Sequence, residues 1–205
     1  MISILICCVL GYLIGTINPA AIIAKLKKHN LTQSGTGNLG ATNTMLAFGL
    51  RYGVFVLAFD LFKAFFAVLL ASALFPEHPT AGLWAGFLTV VGHIYPFQLR
   101  FKGGKGSACF AGVVLASHPP LFPLLLVICV TLGLLIDYAF VVPVSAVLLF
   151  PILAVWRTRS LAVFLITLSM GLLIIHQHRE NFRAVRAGTE GRFRSWFAEK
   201  WKANR

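Results

Sequence analysis

Apolar residues in this chain form six long stretches that are separated by short polar segments. The stretches cover residues 2–24, 52–75, 81–99, 121–136, 139–156 and 160–176. At 1.5 Å per residue, most of them approach the length that a helix needs to cross about 30 Å of hydrocarbon. They lack the alternating pattern of a transmembrane barrel, and an open sheet would leave unpaired backbone groups in lipid. The pattern therefore predicts an all-α integral membrane protein.

Composition agrees with this class. Apolar residues make up 58% of the 205 residues and charged residues 12%, and the mean hydropathy is +0.83. These values exclude a soluble protein and predict one membrane-embedded domain over residues 1–205. The net charge of +12 indicates orientation and contact with anionic membrane lipids, and it does not predict a nucleic-acid partner. The net charge does not identify a protein partner.

Basic residues predict how the helices are oriented. Lys25, Lys27 and Lys28 follow the first stretch, so its end should be cytoplasmic and the N-terminus outside. The stretch is retained, because no basic residue precedes it and no convincing cleavage site follows it. The basic tail, about residues 179–205, carries eight Lys or Arg residues. It should therefore lie in the cytoplasm as well.

An even number of crossings must then connect residues 30 and 180, whereas the remaining apolar stretches supply five. We assign the missing crossing to residues 104–118, a short apolar segment that ends at Pro119 and Pro120. The prediction is a seven-transmembrane-helix bundle with its C-terminus in the cytoplasm.

Two further predictions follow from this topology. Arg157 and Arg159 fall on the outer side, against the usual charge bias. In the tail, residues 192–202 carry aromatic side chains on one face at helical spacing, which predicts an interfacial helix. A frayed basic tail is the alternative.

Cysteine and histidine patterns do not indicate a metal site. The four cysteines lie in or beside apolar segments without a C-x-x-C pair, and the six histidines are scattered without an H-E-x-x-H motif. We expect no disulfide framework, no metal and no cofactor.

Polar residues gather in segments 34–43, 92–106 and 178–181, which the predicted topology puts on the cytoplasmic side. Within the second segment, residues 103–106 read GGKG. Backbone N–H groups of such glycines can surround phosphate oxygens, and Lys105 supplies the opposite charge. The spacing is not that of a Walker A loop. Tight turns or helix contacts are alternative reasons for the glycines.

Each segment also has a purely structural interpretation. The first can be an ordinary loop, and the third a basic juxtamembrane helix. Arg100 and Lys102 are either anion partners or cytoplasmic membrane anchors.

Together these segments resemble the bacterial acyl-phosphate:glycerol-3-phosphate acyltransferase family, the integral-membrane PlsY proteins. Residues 35–43 read GTGNLGATN, where the family usually has GSGNPGATN. Several such matches in family order are more specific than any one motif. The other matching segments are residues 11–15, 60–63, 92–96, 101–106, 178–181 and 188–190.

The resemblance implies a bacterial inner-membrane enzyme with its active site on the cytoplasmic face. It would transfer a fatty acyl group from acyl phosphate to the 1-hydroxyl of glycerol 3-phosphate, giving lysophosphatidic acid and phosphate. Because acyl phosphate has a good leaving group, the protein's main tasks would be to position the hydroxyl and stabilise developing charge. A covalent nucleophile would not be needed.

The resemblance also assigns roles by matching position. Lys105, together with the glycine backbone, would hold the donor phosphate, and His178 and Asn181 would orient glycerol 3-phosphate. The base would be His178 or a substrate phosphate oxygen. The residues given catalytic roles are Thr36, Lys105, His178 and Asn181, and those given substrate or phosphate contacts are Asn38, Gly40, Asn43, Gly103, Gly104 and Gly106. Thr36, Asn38 and Asn43 would line the acceptor pocket.

Three ionisable residues in apolar stretches need partners. Asp60 and Lys63 are three residues apart on a predicted helix, so we expect them to neutralise each other. A functional relay is the alternative. For His93, at a helix end, we expect a structural hydrogen bond.

The chain departs from the family pattern at a residue that should bind phosphate. Leu46 stands where the pattern has arginine, and Arg51 could substitute only if the fold brings it round. The family serine has become Thr36, which keeps the hydroxyl, and Cys109 replaces a threonine. The alternative functions are therefore a divergent paralogue with altered acceptor or lost activity, and a nonenzymatic anion- or lipid-binding membrane protein. The spans 121–136, 139–156 and 160–176 contain no charged residue, which disfavours a transporter.

Overall fold

A computed structural model describes residues 2–192 and residue 194 of the chain. Within these residues the regular elements are ten α-helices and two short 3₁₀ turns, Leu31–Gln33 and Phe97–Leu99. The all-α prediction is confirmed. The helices are α1 (Ile2–Thr16), α2 (Pro19–Leu26), α3 (Ala41–Phe48), α4 (Leu50–Leu74), α5 (Ala81–Ile94), α6 (Ser107–Ser117), α7 (Leu121–Ile136), α8 (Val141–Thr158), α9 (Leu161–Gln177) and α10 (Arg179–Arg186).

The chain folds into two compact units, residues 1–119 and 120–205. In the first unit, α1 packs on α5, while α4 packs on α3, α5 and α6. In the second unit, α8 packs between α7 and α9. Helix α10 follows α9 after a bend of 46°.

Small residues allow α1 and α5 to approach closely. A Cβ at Gly11 would overlap the Ala85 carbonyl, and a Cβ at Gly15 would overlap the Thr89 carbonyl. The Thr89 hydroxyl donates to the Gly11 carbonyl at 3.0 Å. This is the small-xxx-small contact by which helices pack without large side chains between them. The match to the family at residues 11–15 thus has a packing reason.

Among the described residues, three helical segments are long and apolar enough to cross a membrane: Ile2–Leu26, Leu50–Leu74 and Val141–Thr158. The bent pair α9 and α10 would add a fourth. Helices α6 and α7 are shorter apolar helices. The seven-span count and the orientation of the termini stay predictions.

The predicted stretch 81–99 is wrong at its C-terminal end, because α5 stops at Ile94. Pro96 disfavours helical backbone at the preceding residue, and Tyr95 has φ −123° and ψ 61°. The helix expected over 192–202 lies outside the described residues, except for Arg192 and Arg194. The Arg194 guanidinium donates to the Leu134 carbonyl at 2.8 Å.

Candidate active site

The first polar segment is a loop that Asn43 holds in place. Asn43 is buried on α3. Its side chain accepts a hydrogen bond from Thr36 N at 2.9 Å and donates one to the Leu31 carbonyl at 2.8 Å. Gly35 and Gly37 have φ angles of 54° and 67°, which glycine adopts at little cost. Thr36 itself is exposed. It lies on a loop whose backbone is held by the buried side-chain amide of Asn43.

Asn38 and Gly40 complete this loop where α3 begins. A Cβ at Gly40 would lie 3.0 Å from Asn38 Nδ2, so the Asn38 amide packs close to Gly40. The Gly40 carbonyl accepts a hydrogen bond from the Thr44 hydroxyl at 2.9 Å. The structure thus puts Thr36, Asn38 and Gly40 in one loop, which Asn43 holds from the first turn of α3.

Asn18 is a functional candidate that our sequence reasoning missed. Its Oδ1 accepts a hydrogen bond from Ala21 N at 2.8 Å and caps α2, while its Nδ2 donates to the Leu39 carbonyl at 3.2 Å. The loop is therefore tied to the break between α1 and α2. An asparagine directly before Pro19 is a helix-start signal, and this pair could have identified the residue.

The glycine loop, residues 103–106, packs against the end of α5. Gly103 N donates to the Ile94 carbonyl at 3.0 Å, and Gly104 N donates to the His93 carbonyl at 3.1 Å. A Cβ at Gly103 would overlap the His93 carbonyl, and a Cβ at Gly104 would overlap the His93 ring. The expectation that these two N–H groups hold phosphate is therefore wrong. They bind protein carbonyls, and their glycines permit close packing.

Lys105 and Gly106 lie directly before α6. Lys105 is half-buried, and Gly106 has a φ of 85° and precedes Ser107, the first residue of α6. Gly106 has no side chain with which to cap the helix. The first N–H groups of α6 and the positive end of its dipole therefore suit an anion.

Lys63, Asp60 and His93 form a buried group that we call the Lys63 cluster. Lys63 Nζ lies 2.7 Å from Asp60 Oδ1 and 3.1 Å from His93 Nδ1. His93 Nδ1 lies 3.3 Å from Asp60 Oδ1. The predicted pairing of Asp60 with Lys63 is confirmed, as is a structural contact for His93. Our sequence reasoning did not connect the histidine to the pair, because thirty residues separate it from Lys63.

Cys109 lies beside this cluster. Asp60, His93 and Cys109 each present one atom that could bind a metal ion, and these atoms lie within 4.8 Å of one another. Lys63 Nζ contacts two of the three atoms. The Lys63 ammonium therefore already occupies the neighbourhood of Asp60 and His93 and would repel a metal cation, so these residues fit a metal site poorly.

His178 lies between α9 and α10 in the second unit. It is buried, its Nδ1 lies 2.8 Å from the Ile174 carbonyl, and its ring stacks on Phe140 with centroids 6.4 Å apart. Because a carbonyl oxygen only accepts, Nδ1 carries the hydrogen and Nε2 is the acceptor nitrogen. This is the tautomer that a general base acting through Nε2 requires.

Asn181 lies in the first turn of α10, also in the second unit. Its Nδ2 donates to Glu190 Oε1 at 2.8 Å, which orients the amide. Glu190 lies in segment 188–190, which matches the family pattern. In the structure its carboxylate accepts the hydrogen bond from Asn181. The pairing could not be predicted because a turn containing Gly188, with φ 70°, intervenes.

Leu46 and Arg51 lie on different helices. Leu46 is 41% exposed on α3, and a Cβ at Gly35 would lie 3.7 Å from its Cδ1. A side chain at position 46 therefore borders the Thr36 loop. Arg51 is exposed on α4. Gly49 lies between α3 and α4, and its φ of 95° interrupts the helical backbone there.

Comparison with known sequences gives a consistent result. The family described as Glycerol-3-phosphate acyltransferase matches residues 5–188. A glycerol-3-phosphate acyltransferase of Aquifex aeolicus (strain VF5) is 34% identical over 185 residues, which are 90% of this chain and 96% of the relative. That of Thermoanaerobacter pseudethanolicus is 36% identical over 185 residues, covering 90% and 92%.

Solved structures agree. The crystal structure of PlsY, an integral membrane glycerol 3-phosphate acyltransferase, in its glycerol 3-phosphate form has a TM-score of 0.87 and 34% identity, covering 93% of this chain and 96% of that one. The lysophosphatidic acid form has a TM-score of 0.83 and 33% identity, covering 93% and 95%. Family match, identity and fold agree over nearly the whole length, and the chain therefore belongs to the glycerol-3-phosphate acyltransferase family.

Proposed function

We propose that this chain transfers a fatty acyl group from acyl phosphate to the 1-hydroxyl of glycerol 3-phosphate. The hydroxyl oxygen attacks the acyl carbonyl carbon, the bond from that carbon to the phosphate oxygen breaks, and lysophosphatidic acid and phosphate leave. Family membership over residues 5–188 is the observation that carries the proposal. The neighbours of known structure, described with glycerol 3-phosphate and with lysophosphatidic acid, support it.

The donor phosphate binds at Lys105 and the start of α6. The Lys105 ammonium balances the phosphate charge, and the N–H groups at Gly106 and in the first turn of α6 donate to its oxygens. As the carbon–oxygen bond breaks, negative charge grows on the leaving phosphate, so these contacts strengthen in the transition state. The glycines at 103 and 104 contribute by packing.

The acceptor binds at the Thr36 loop. The Thr36 hydroxyl and the Asn38 amide offer hydrogen bonds to glycerol 3-phosphate, and Gly40 leaves room beside Asn38. Asn43 acts as a positioning residue, because both ends of its amide are already used by Thr36 N and the Leu31 carbonyl.

His178 and Asn181 are assigned to the acceptor by their positions in the family pattern. His178 Nε2 accepts the hydroxyl proton, or a phosphate oxygen of the substrate does so instead. Asn181, oriented by Glu190, binds a glycerol oxygen.

The enzyme acts at the bacterial inner membrane, with its active site on the cytoplasmic face. Seven helices cross, the N-terminus is outside and the C-terminus is in the cytoplasm. Helix α6, 11 residues long, spans only about 16 Å at 1.5 Å per residue, so the bilayer is locally thin there or the segment is partly re-entrant. The acyl chains of donor and product remain in lipid.

Leu46 favours a second candidate, a paralogue with weakened or altered acceptor use. The family pattern has arginine at this position, and the side chain borders the Thr36 loop. Loss of a guanidinium that pairs with phosphate weakens transition-state binding by about 2–5 kcal/mol unless another cation replaces it.

The decisive experiment is an assay of the purified protein in detergent with acyl phosphate and glycerol 3-phosphate. Release of phosphate and formation of lysophosphatidic acid should match one to one. Lys105→Ala should reduce kcat/KM about 100-fold or more. Lys25→Gln, which removes a charge near the end of α2, is the matched control and should stay near wild type.

Two results would contradict the proposal. One is the absence of turnover in folded wild-type protein, and the other is undiminished turnover in Lys105→Ala. Turnover with a different phosphorylated polyol in place of glycerol 3-phosphate would favour the paralogue.

A further inference from the structure

The Lys63 ammonium joins the break between α1 and α2 to the rest of the first unit. Lys63 is 7% exposed. Its Nζ donates to the Gly15 carbonyl at 3.1 Å and to the Ile17 carbonyl at 2.6 Å. Gly15 lies in the last turn of α1 and Ile17 directly follows that helix. Carbonyls at a helix C-terminus lack partners within the helix and carry partial negative charge. Lys63 therefore supplies both a donor and a positive charge where the helix needs them.

The same ammonium fixes the imidazole of His93. Asp60 Oδ1 and Lys63 Nζ both lie within 3.3 Å of His93 Nδ1. In the tautomer with hydrogen on Nδ1, this atom donates to Asp60. In the other tautomer, it accepts a hydrogen bond from Lys63. The ring orientation is therefore set from one side by the ion pair.

The other side of His93 contacts the glycine loop. A Cβ at Gly104 would overlap the ring, with Nε2 as the nearest atom. The His93 carbonyl also receives the hydrogen bond of Gly104 N at 3.1 Å. Lys63 thus reaches the residue next to Lys105 through one intervening side chain.

We propose that Lys63 and His93 are positioning residues for donor binding: the ion pair of Lys63 with Asp60 orients His93, and His93 sets the position of the glycine loop and hence of Lys105. This inference rests on the proposed function for the role of Lys105. The positional part depends only on the contacts of the first unit.

A neutral replacement of the pair tests the idea. Removing Lys63 alone would leave Asp60 as a buried, unpaired charge and could prevent folding. The double variant Asp60→Asn, Lys63→Met removes both charges together, and His93→Asn removes the ring that contacts Gly104. Thr167→Val is the control, because it removes a buried hydroxyl from α9 whose bonds go to the Val163 and Phe164 carbonyls of the same helix.

The first measurement is hydrogen exchange of the backbone amides, followed by mass spectrometry in detergent. In the double variant and in His93→Asn, the amides of residues 103 and 104 should exchange about 10-fold faster or more, with peptides of α8 unchanged. Thr167→Val should leave the loop amides unchanged. Unchanged loop exchange in both test variants would overturn the proposal, whether or not the protein proves to be an acyltransferase.

The second measurement separates the two substrates. In the same variants the KM for acyl phosphate should rise about 10-fold or more, while the KM for glycerol 3-phosphate changes less than about twofold. Lys63→Arg, which keeps the charge, should recover part of the loss. If both KM values rose equally in the test variants, or if the KM for acyl phosphate rose as much in Thr167→Val, the effect would be general destabilisation and a positioning role would be rejected. An inactive wild type would reject the proposed function and leave the exchange result as the test of this inference.

Discussion

Buried polar side chains in this protein replace missing backbone hydrogen bonds at three points. Asn18 caps α2, Asn43 holds the Thr36 loop, and Lys63 satisfies the end of α1. Each is predominantly buried, where an unpaired polar group is costly. The residues that shape the candidate site are therefore as constrained as those proposed to touch substrate.

The contacts of Asn43 lead to a prediction about stability. Asn43→Ala leaves Thr36 N and the Leu31 carbonyl without a partner, so it should lower the free energy of unfolding by about 1–3 kcal/mol. The loosened loop should also raise the KM for glycerol 3-phosphate. Denaturation in detergent and substrate titration measure both effects.

Thr42→Ala provides the comparison for Asn43, because Thr42 is the exposed neighbour on α3. It should behave like wild type. If Asn43→Ala were equally stable and equally active, the positioning role would be wrong.

The neighbourhood of Leu46 predicts a gain of activity. Leu46→Arg introduces a bidentate phosphate donor beside the Thr36 loop, so kcat/KM for glycerol 3-phosphate should rise about 10-fold or more. Leu46→Lys should help less, because ammonium lacks the planar fork, and Leu46→Met should have no effect. Steady-state kinetics at several glycerol 3-phosphate concentrations give the answer, and equal activity of all three variants would exclude a phosphate contact here.

At the scale of elements, close packing of α1 on α5 determines where the glycine loop lies. The glycine loop is bonded to the last residues of α5, and α5 is held against α1 through Gly11 and Gly15. A change in the separation of these helices would therefore displace the loop.

This packing predicts the effect of a single methyl group. In Gly15→Ala the new Cβ would meet the Thr89 backbone, so the helices must separate, at a cost of about 1–3 kcal/mol. The variant should have a lower Tm in detergent and lower activity. Leu13→Ala, on the exposed side of α1, should lower Tm much less. Equal losses in the two variants would contradict the close-contact interpretation.

At the scale of the whole molecule, the predicted topology makes a prediction about accessibility. In sealed vesicles of known orientation, an impermeant maleimide should label Lys28→Cys and Arg186→Cys only from the cytoplasmic side, and Arg159→Cys only from the outside. From an outer N-terminus, one predicted crossing precedes Lys28 and seven precede Arg186, which puts both on the cytoplasmic side, whereas six precede Arg159 and return it to the outside. Wild-type protein controls for the native cysteines, of which Cys8 alone is not fully buried among the described residues. Labelling of all three from one side would overturn the seven-span topology.

The sequence by itself determined the class of fold and the family. Long apolar stretches have few stable forms in lipid other than helices, and ordered motifs identified the relatives before any contact was known. Local signals also sufficed for the pairing of Asp60 with Lys63, since three residues on a helix put both side chains on one face.

Only the tertiary structure decided what the motifs do. The glycines at 103 and 104 look like a phosphate cradle because a sequence does not show the partners of their N–H groups, but the carbonyls of Ile94 and His93, nine and eleven residues earlier, accept these two hydrogen bonds. The partners of Lys63 come from α1 and α5, and hydropathy carries no information about which carbonyl a buried ammonium will meet. Periodicity reports which side of a helix is apolar, whereas the position of Lys105 depends on contacts between helices far apart in the chain.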